Sequence, residues 1–173
     1  MNVLSELNKD NGREVSRYLL KNPSEFDNLI RYFFEESDIR LVQLISTPLL
    51  FCAEKRSNIL DKHYPLLLSK LKDSPNSAVK RNSIRFLQFT EIPEEYMGEI
   101  ADLCFSYLSD TKEAVAVRAF SMTVLFNISK QFPELQQELY HTIEDHLPYG
   151  STGFKNRGDK VLKQIEALLK NRR

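Results

Sequence analysis

The chain predicts an all-α fold in which helices stack in pairs, and three observations carry that prediction. The first is the stretch from Asp110 to Lys130, DTKEAVAVRAFSMTVLFNISK, where Val117, Phe120, Val124, Leu125 and Ile128 recur at three- and four-residue steps. Arg118 is its only charge between Glu113 and Lys130, so this helix must be covered on more than one side and belongs in the interior of a stack. The second is that the text occurs twice. Set against Asp110 to Leu125, the stretch Asp73 to Leu87, DSPNSAVKRNSIRFL, pairs Val79 with Val117, Lys80 with Arg118, Ser83 with Ser121, Phe86 with Val124 and Leu87 with Leu125. The third is that the preceding segments match as well, LLLSKLKD against LCFSYLSD, with Leu71 opposite Leu108 and Asp73 opposite Asp110.

Each element follows from its own residues. Residues up to Asn11 carry weak amphipathic character and predict a short capping helix. Gly12 to Lys21 places Val15, Tyr18 and Leu19 on one face, and Asn22-Pro23 ends it and starts the next, because Pro suits a first helical position and expels the preceding residue from the α region. Pro23 to Glu36 carries a wide apolar stripe of Phe26, Leu29, Ile30, Phe33 and Phe34. Ser37 is the expected cap of a helix from Asp38 to about Lys55, kinked at Pro48, where an i to i−4 bond is deleted. Ser57 to Leu71 and Val79 to Thr90 form the next pair, then Glu94 to Leu108 with Asp110 to Lys130. Phe132-Pro133 turns the chain into a helix from Pro133 to His146. Leu147 to Gly158, LPYGSTGFKNRG, holds three of the five glycines and predicts a turn whose backbone visits conformations closed to other residues. A last helix runs from Phe154 or Asp159 to Asn171.

A unit of about 37 residues that opens with an amphipathic helix, turns at Asp and continues as Val-basic-x-x-small-x-x-apolar-Leu resembles the HEAT repeat of α-solenoids. The resemblance implies a short right-handed α-α superhelix of about four helix pairs, with residues 1–173 as one domain and the second helix of each pair lining a concave face. The two matching units cover about 70 residues; the flanking pairs depart from the signature, as terminal repeats do. So short a stack is expected as a monomer or a weak dimer joined through an uncapped end.

Composition narrows the function classes. Basic and acidic residues balance at 24 each, which argues against a dedicated nucleic-acid binder, because neutralising phosphates demands a basic excess. The charge is nonetheless polarised. Glu91 to Gly150 has eleven acids against three bases, net −8, whereas Lys155 to Arg173 has seven bases against two acids, net +5. Cys52 and Cys104 sit inside apolar helical patterns and are read as reduced core thiols of a cytoplasmic protein. No basic-then-apolar leader is read at the N-terminus, and the longest apolar run, Leu41 to Ala53, is too short to span a bilayer.

Three constellations are candidates for chemistry or binding. His141, Glu144 and His146 glance at a metalloprotease motif, but His146 lies about 140° round the helix from His141, so no metal or other cofactor is implied. Among Lys80, Arg81, Arg85 and Arg118, the resemblance assigns Lys80 and Arg118 to bridging an aspartate at an inter-helix turn, with Asp73 and Asp110 as counterparts. Arg81 and Arg85, four residues apart and off the apolar face, are left as a cationic stripe for a ligand. The glycine-rich turn offers Ser151, Thr152, Lys155 and Arg157, where free amides entering a helix beside two cations suit an anion or acidic peptide, with Tyr149 as an adjacent aromatic contact.

The resemblance therefore implies a non-catalytic scaffold or adaptor that binds a protein or peptide in the groove of a helical array. The competing class is an enzyme on the same scaffold, of the kind of the HEAT-like alkylpurine DNA glycosylases. Those bring tryptophan, a catalytic acid and a basic groove, and this chain has no Trp. An enzyme should place an acid of raised pKa beside Arg81 or Arg85.

Overall fold

The computed structural model describes residues 3–73 and 76–170. Ten α-helices and no strand occur among the described residues: α1 (Val3–Glu6), α2 (Gly12–Lys21), α3 (Pro23–Glu35), α4 (Ile39–Lys55), α5 (Tyr64–Asp73), α6 (Ser77–Leu87), α7 (Glu94–Ser109), α8 (Val115–Ser129), α9 (Leu135–His146) and α10 (Thr152–Lys170). They fall into two compact units, Met1–Glu91 and Ile92–Arg173. The expected end of the last helix at Asn171, and the basic Arg172 and Arg173, lie outside the described residues. No described helix is long and apolar enough to cross a membrane.

In the first unit the helices alternate between two layers. α2 packs on α4 and α4 on α6, while α1 meets α3 and α3 meets α5; α3 and α5 also lie against α4 and α6. The stripe predicted for α3 is the core of this unit: Phe26, Leu29, Ile30, Phe33 and Phe34 are all buried, and Phe33 meets Phe34 edge to face and Phe86 at a tilt. α2 approaches α4 so closely that a β-carbon at Gly12 would come within 2.8 Å of Thr47 Cγ2. That explains a glycine at a helix start where nothing in its backbone angle requires one.

Three local expectations are corrected here. The cap of α4 is Asp38 rather than Ser37: its carboxylate accepts from the backbone N–H of Arg40 at 2.8 Å and of Leu41 at 3.4 Å. Ser57 does not open a helix. Residues 57–60 turn, Asp61–His63 form one 3₁₀ turn, and α5 starts only at Tyr64. Tertiary bonds take this segment, because Ser57 and Glu91 bond through both side chain and backbone at 2.9 Å and the Tyr64 hydroxyl donates to the Glu91 carbonyl at 2.9 Å. α6 begins at Ser77 rather than Val79 because Asn76 caps it, accepting from Ala78 and Val79, and it ends at Leu87 rather than Thr90. Pro48 is buried inside α4, which remains one helix across it.

In the second unit α8 is covered by α7, α9 and α10. Ten of its 15 residues are buried, Arg118 among them, which is what its lack of charge predicted. It starts at Val115 rather than Asp110. Asp110 instead holds the preceding turn: its carboxylate accepts from Lys112 N–H at 2.8 Å and its carbonyl from Glu113 N–H at 3.1 Å, bonds that compete with helix. α9 likewise starts two residues after Pro133.

The glycine-rich stretch also departs from expectation. Leu147–Tyr149 form a 3₁₀ turn and α10 is under way by Thr152, with no residue at positive φ. Two glycines of the stretch are there for lack of room: a β-carbon at Gly150 would run into the Phe154 ring, and one at Gly158, buried in α10, would lie 2.6 Å from Leu147 Cδ1 and 3.0 Å from Ile143 Cγ2. Their role is close packing, not an unusual backbone.

Candidate functional site

The solvent side of the α2–α4–α6 layer is built from the residues these helices do not bury. On α6 the buried set is Ala78, Val79, Asn82, Ser83, Ile84, Phe86 and Leu87. At 100° per residue, Ser77, Arg81, Arg85 and Gln88 are left on the opposite stripe. Arg81 is half-buried and Arg85 exposed, and neither has a carboxylate within ion-pair distance among the described residues. The two arginines thus share one stripe of α6, Arg85 the more open of the pair.

The same side of the layer carries cations that the sequence reading did not single out. Arg13 and Arg17 stand one turn apart on α2, and Lys55 ends α4. With Ser16, Leu20, Phe51 and Glu54 they line a groove of about 590 Å³. The Arg13 guanidinium lies over the Phe51 ring, 5.1 Å from its centroid. The signal was available: in GREVSRYLLK the buried positions are Gly12, Val15, Ser16 and Leu19, which leaves Arg13 and Arg17 together at i and i+4.

The second unit holds the other candidates. Tyr149 is 89% exposed. Ser151 caps α10, its carbonyl accepting from Lys155 N–H at 2.9 Å and its hydroxyl from Phe154 N–H at 3.4 Å. Thr152 and Lys155 are exposed on the first turns of α10. Arg157 is engaged elsewhere: its Nη1 donates to the Thr123 hydroxyl at 2.6 Å, tying α10 to α8. So the structure gathers Ser151, Thr152 and Lys155 at one helix start and turns Arg157 toward a neighbour.

Arg118 is a packing residue. Its Nε donates to the Leu108 carbonyl at 3.0 Å and its guanidinium sits 4.4 Å from the Phe154 ring centroid. Burial lowers its pKa, and the charge of Asp110 opposes that shift. The expected ladder is thus corrected in detail, since the guanidinium bonds the carbonyl at the end of α7 rather than the Asp110 carboxylate.

A charged cluster that the sequence reading missed lies between α3 and the 3₁₀ turn. Buried His63 has its Nε2 2.8 Å from Asp27 Oδ1, and Lys62 Nζ is 3.2 Å from Oδ2. Burial pushes the Asp27 carboxyl up, but the hydrogen bonds from His63 and Lys62 prevail and hold it below the ordinary value of 3.8. Glu36 is also lowered, by the backbone N–H of Asp38 and the Tyr32 hydroxyl. The carboxylates displaced from their ordinary range are therefore pushed toward the charged form, opposite to a general acid. Neither lies on α6 with Arg81 and Arg85. Cys52 and Cys104 are buried free thiols, each pushed up to about 12 by desolvation, so they are poor nucleophiles. His141 Nδ1 stands 3.8 Å from Glu144 Oε2 on the exposed side of α9, and no cluster of three or more metal-ligating side chains occurs among the described residues.

A family model described as a HEAT repeat domain matches residues 2–165. No curated protein and no solved structure matches the chain at a significant level.

Proposed function

The chain belongs to the HEAT repeat domain family, and from that premise we propose that it is a non-catalytic scaffold or adaptor that binds a protein or peptide along the solvent side of its second-helix layer. One observation carries this reading: Arg81 and Arg85 project from α6 on one stripe with no carboxylate in ion-pair reach among the described residues, a charge a partner can neutralise. The cytoplasm suits it, because Cys52 and Cys104 are kept as separate buried thiols. An enzyme on this scaffold needs an acid pushed upward beside those arginines, and the displaced acids Asp27 and Glu36 are pushed downward.

The test is affinity co-purification of the full chain from its native cell, with and without nuclease treatment, alongside Arg81→Glu/Arg85→Glu. A defined protein retained by the natural chain and lost from a variant of unchanged melting temperature is the expected result. Recovery of nucleic acid alone, or of nothing, overturns the scaffold reading.

A further inference from the structure

We infer that the groove between α2 and α4 is a peptide seat whose occupant is an acidic segment of a partner protein, carrying one apolar side chain into the floor. The inference rests on the scaffold reading and names both the site and the chemistry that fills it.

The walls and the floor of the groove differ in kind. Arg13 and Arg17 from α2 and Lys55 from α4 present three cations against one acid, Glu54. None of the three cations has a carboxylate within ion-pair distance among the described residues. Arg13 and Arg17 are themselves an i, i+4 pair of like charge, which an incoming carboxylate relieves. Arg13 is held over an aromatic ring, which fixes its guanidinium beside the opening.

The floor is apolar, made by Leu20 and Phe51 over buried Ser16. At about 590 Å³ the groove accepts a few side chains rather than a whole element. Cations set beside apolar surface act at lower effective dielectric, so an incoming carboxylate is bound more strongly there than on open surface. Guanidinium groups in particular offer planar donor pairs that match a carboxylate and are weakly hydrated.

The same features choose among acidic partners. A nucleic-acid backbone places a phosphate at every step and has no apolar side chain for Leu20 and Phe51, while Glu54 would face it with like charge. A peptide can put a carboxylate at each arginine and a Phe or Leu over the floor, and leave a neutral residue opposite Glu54. A second copy is the remaining rival, since residues Glu91 to Gly150 carry a net −8.

The probe is a fluorescein-labelled peptide of Asp and Glu with one central Phe, titrated with the full chain and followed by polarisation. Saturable binding is expected, falling by about tenfold or more on Arg13→Glu/Arg17→Glu and on raising the salt. Lys55→Glu, which leaves the Arg13–Phe51 stack in place, weakens it by a smaller factor; Phe51→Ala or Ser for Phe in the peptide also weakens it. Lys163→Glu, an exposed cation in the other unit, leaves it unchanged.

Failure to saturate, or equal binding by the charge-reversed chain, overturns the inference. So does displacement of the peptide by an oligothymidine at equal concentration. Concentration-dependent dimerisation of the natural chain that is abolished by Arg13→Glu/Arg17→Glu assigns the groove to a second copy and overturns it as well. The two readings fail separately. If the native partner is retained by Arg13→Glu/Arg17→Glu but lost from Arg81→Glu/Arg85→Glu, the scaffold stands and the acidic-peptide seat falls. If the natural chain retains no protein, both fall.

Discussion

The α5–α6 and α7–α8 repeats share their text at matched positions and resolve it differently. Arg118 on α8 is buried, bonded to the Leu108 carbonyl and stacked against Phe154, whereas its counterpart Lys80 on α6 is only half-buried. Ser121 donates to the Val117 carbonyl at 2.8 Å; its counterpart Ser83 is equally buried, yet its hydroxyl finds no partner among the described residues. At the start of the second helix Asn76 caps α6 and also donates from Nδ2 to the Glu36 carbonyl at 3.1 Å. Ala114 cannot cap α8, and Asp110 holds that turn instead. A shared signature therefore fixes which positions face inward. What a side chain does there is set by what covers it: α8 has α10 across its face and so gains an aromatic partner for its arginine.

The contrast can be broken by substitution, and the widest gap is expected at the basic position. Arg118→Ala removes a buried donor and the contact with Phe154, and should cost about 2–4 kcal/mol. Lys80→Ala should cost less than about 1 kcal/mol. Urea unfolding of both variants checks this, and equal losses would show that the two positions are equivalent after all.

Next come two glycines of one helix, which should move stability in opposite directions. Gly158→Ala forces Leu147 and Ile143 aside and should destabilise by about 1–3 kcal/mol. Gly153→Ala, with nothing within 4 Å of the new methyl group, should stabilise by about 0.5–1 kcal/mol. Thermal melts read both signs directly.

The serine pair is expected to separate by less. Ser121→Ala loses a satisfied hydrogen bond and should cost about 1 kcal/mol, while Ser83→Ala removes a desolvated hydroxyl without a bond to lose and should be neutral or mildly stabilising. A costly Ser83→Ala would mean that this hydroxyl has found a partner.

The smallest effect is a pH dependence confined to the first unit. Asp27 has a folded pKa below its ordinary 3.8, so its contribution is present above about pH 4 and is lost as the pH falls through the folded value. Between about pH 5 and 2 the natural chain should therefore lose stability more steeply than Asp27→Asn. Parallel acid titrations followed by circular dichroism would show it.

Much of the architecture was legible because the information was local and periodic. α2 and α3 stand where the Asn22-Pro23 punctuation put them, and the interior position of α8 followed from its single charge. What misled was chemistry that acts at a distance or competes with helix. The Ser57 segment reads as helical, but its bonds to Glu91 unwind it; Asp110 reads as a helix start, but its carboxylate serves the turn. The glycine-rich stretch reads as loop because glycine has no side chain, whether the reason is backbone freedom or, as at Gly158, lack of room. The Asp27–His63 contact spans 36 residues of sequence, and the Arg13–Phe51 stack joins two helices. No periodicity within one helix encodes either. That Arg81 and Arg85 share one stripe was visible because it depends only on their spacing along α6.

The two cysteines are divided between the units, Cys52 in the first and Cys104 in the second, and neither exposes any surface. Each is thus a built-in clock. A thiol reagent can label Cys52 only when the first unit opens, and Cys104 only when the second does, so two labelling rates taken from one sample report two opening equilibria. Coinciding rates would describe a chain that breathes as one cooperative body. Rates that part company, and a partner that slows only the Cys52 clock, would map the bound half without a tag or a mutation.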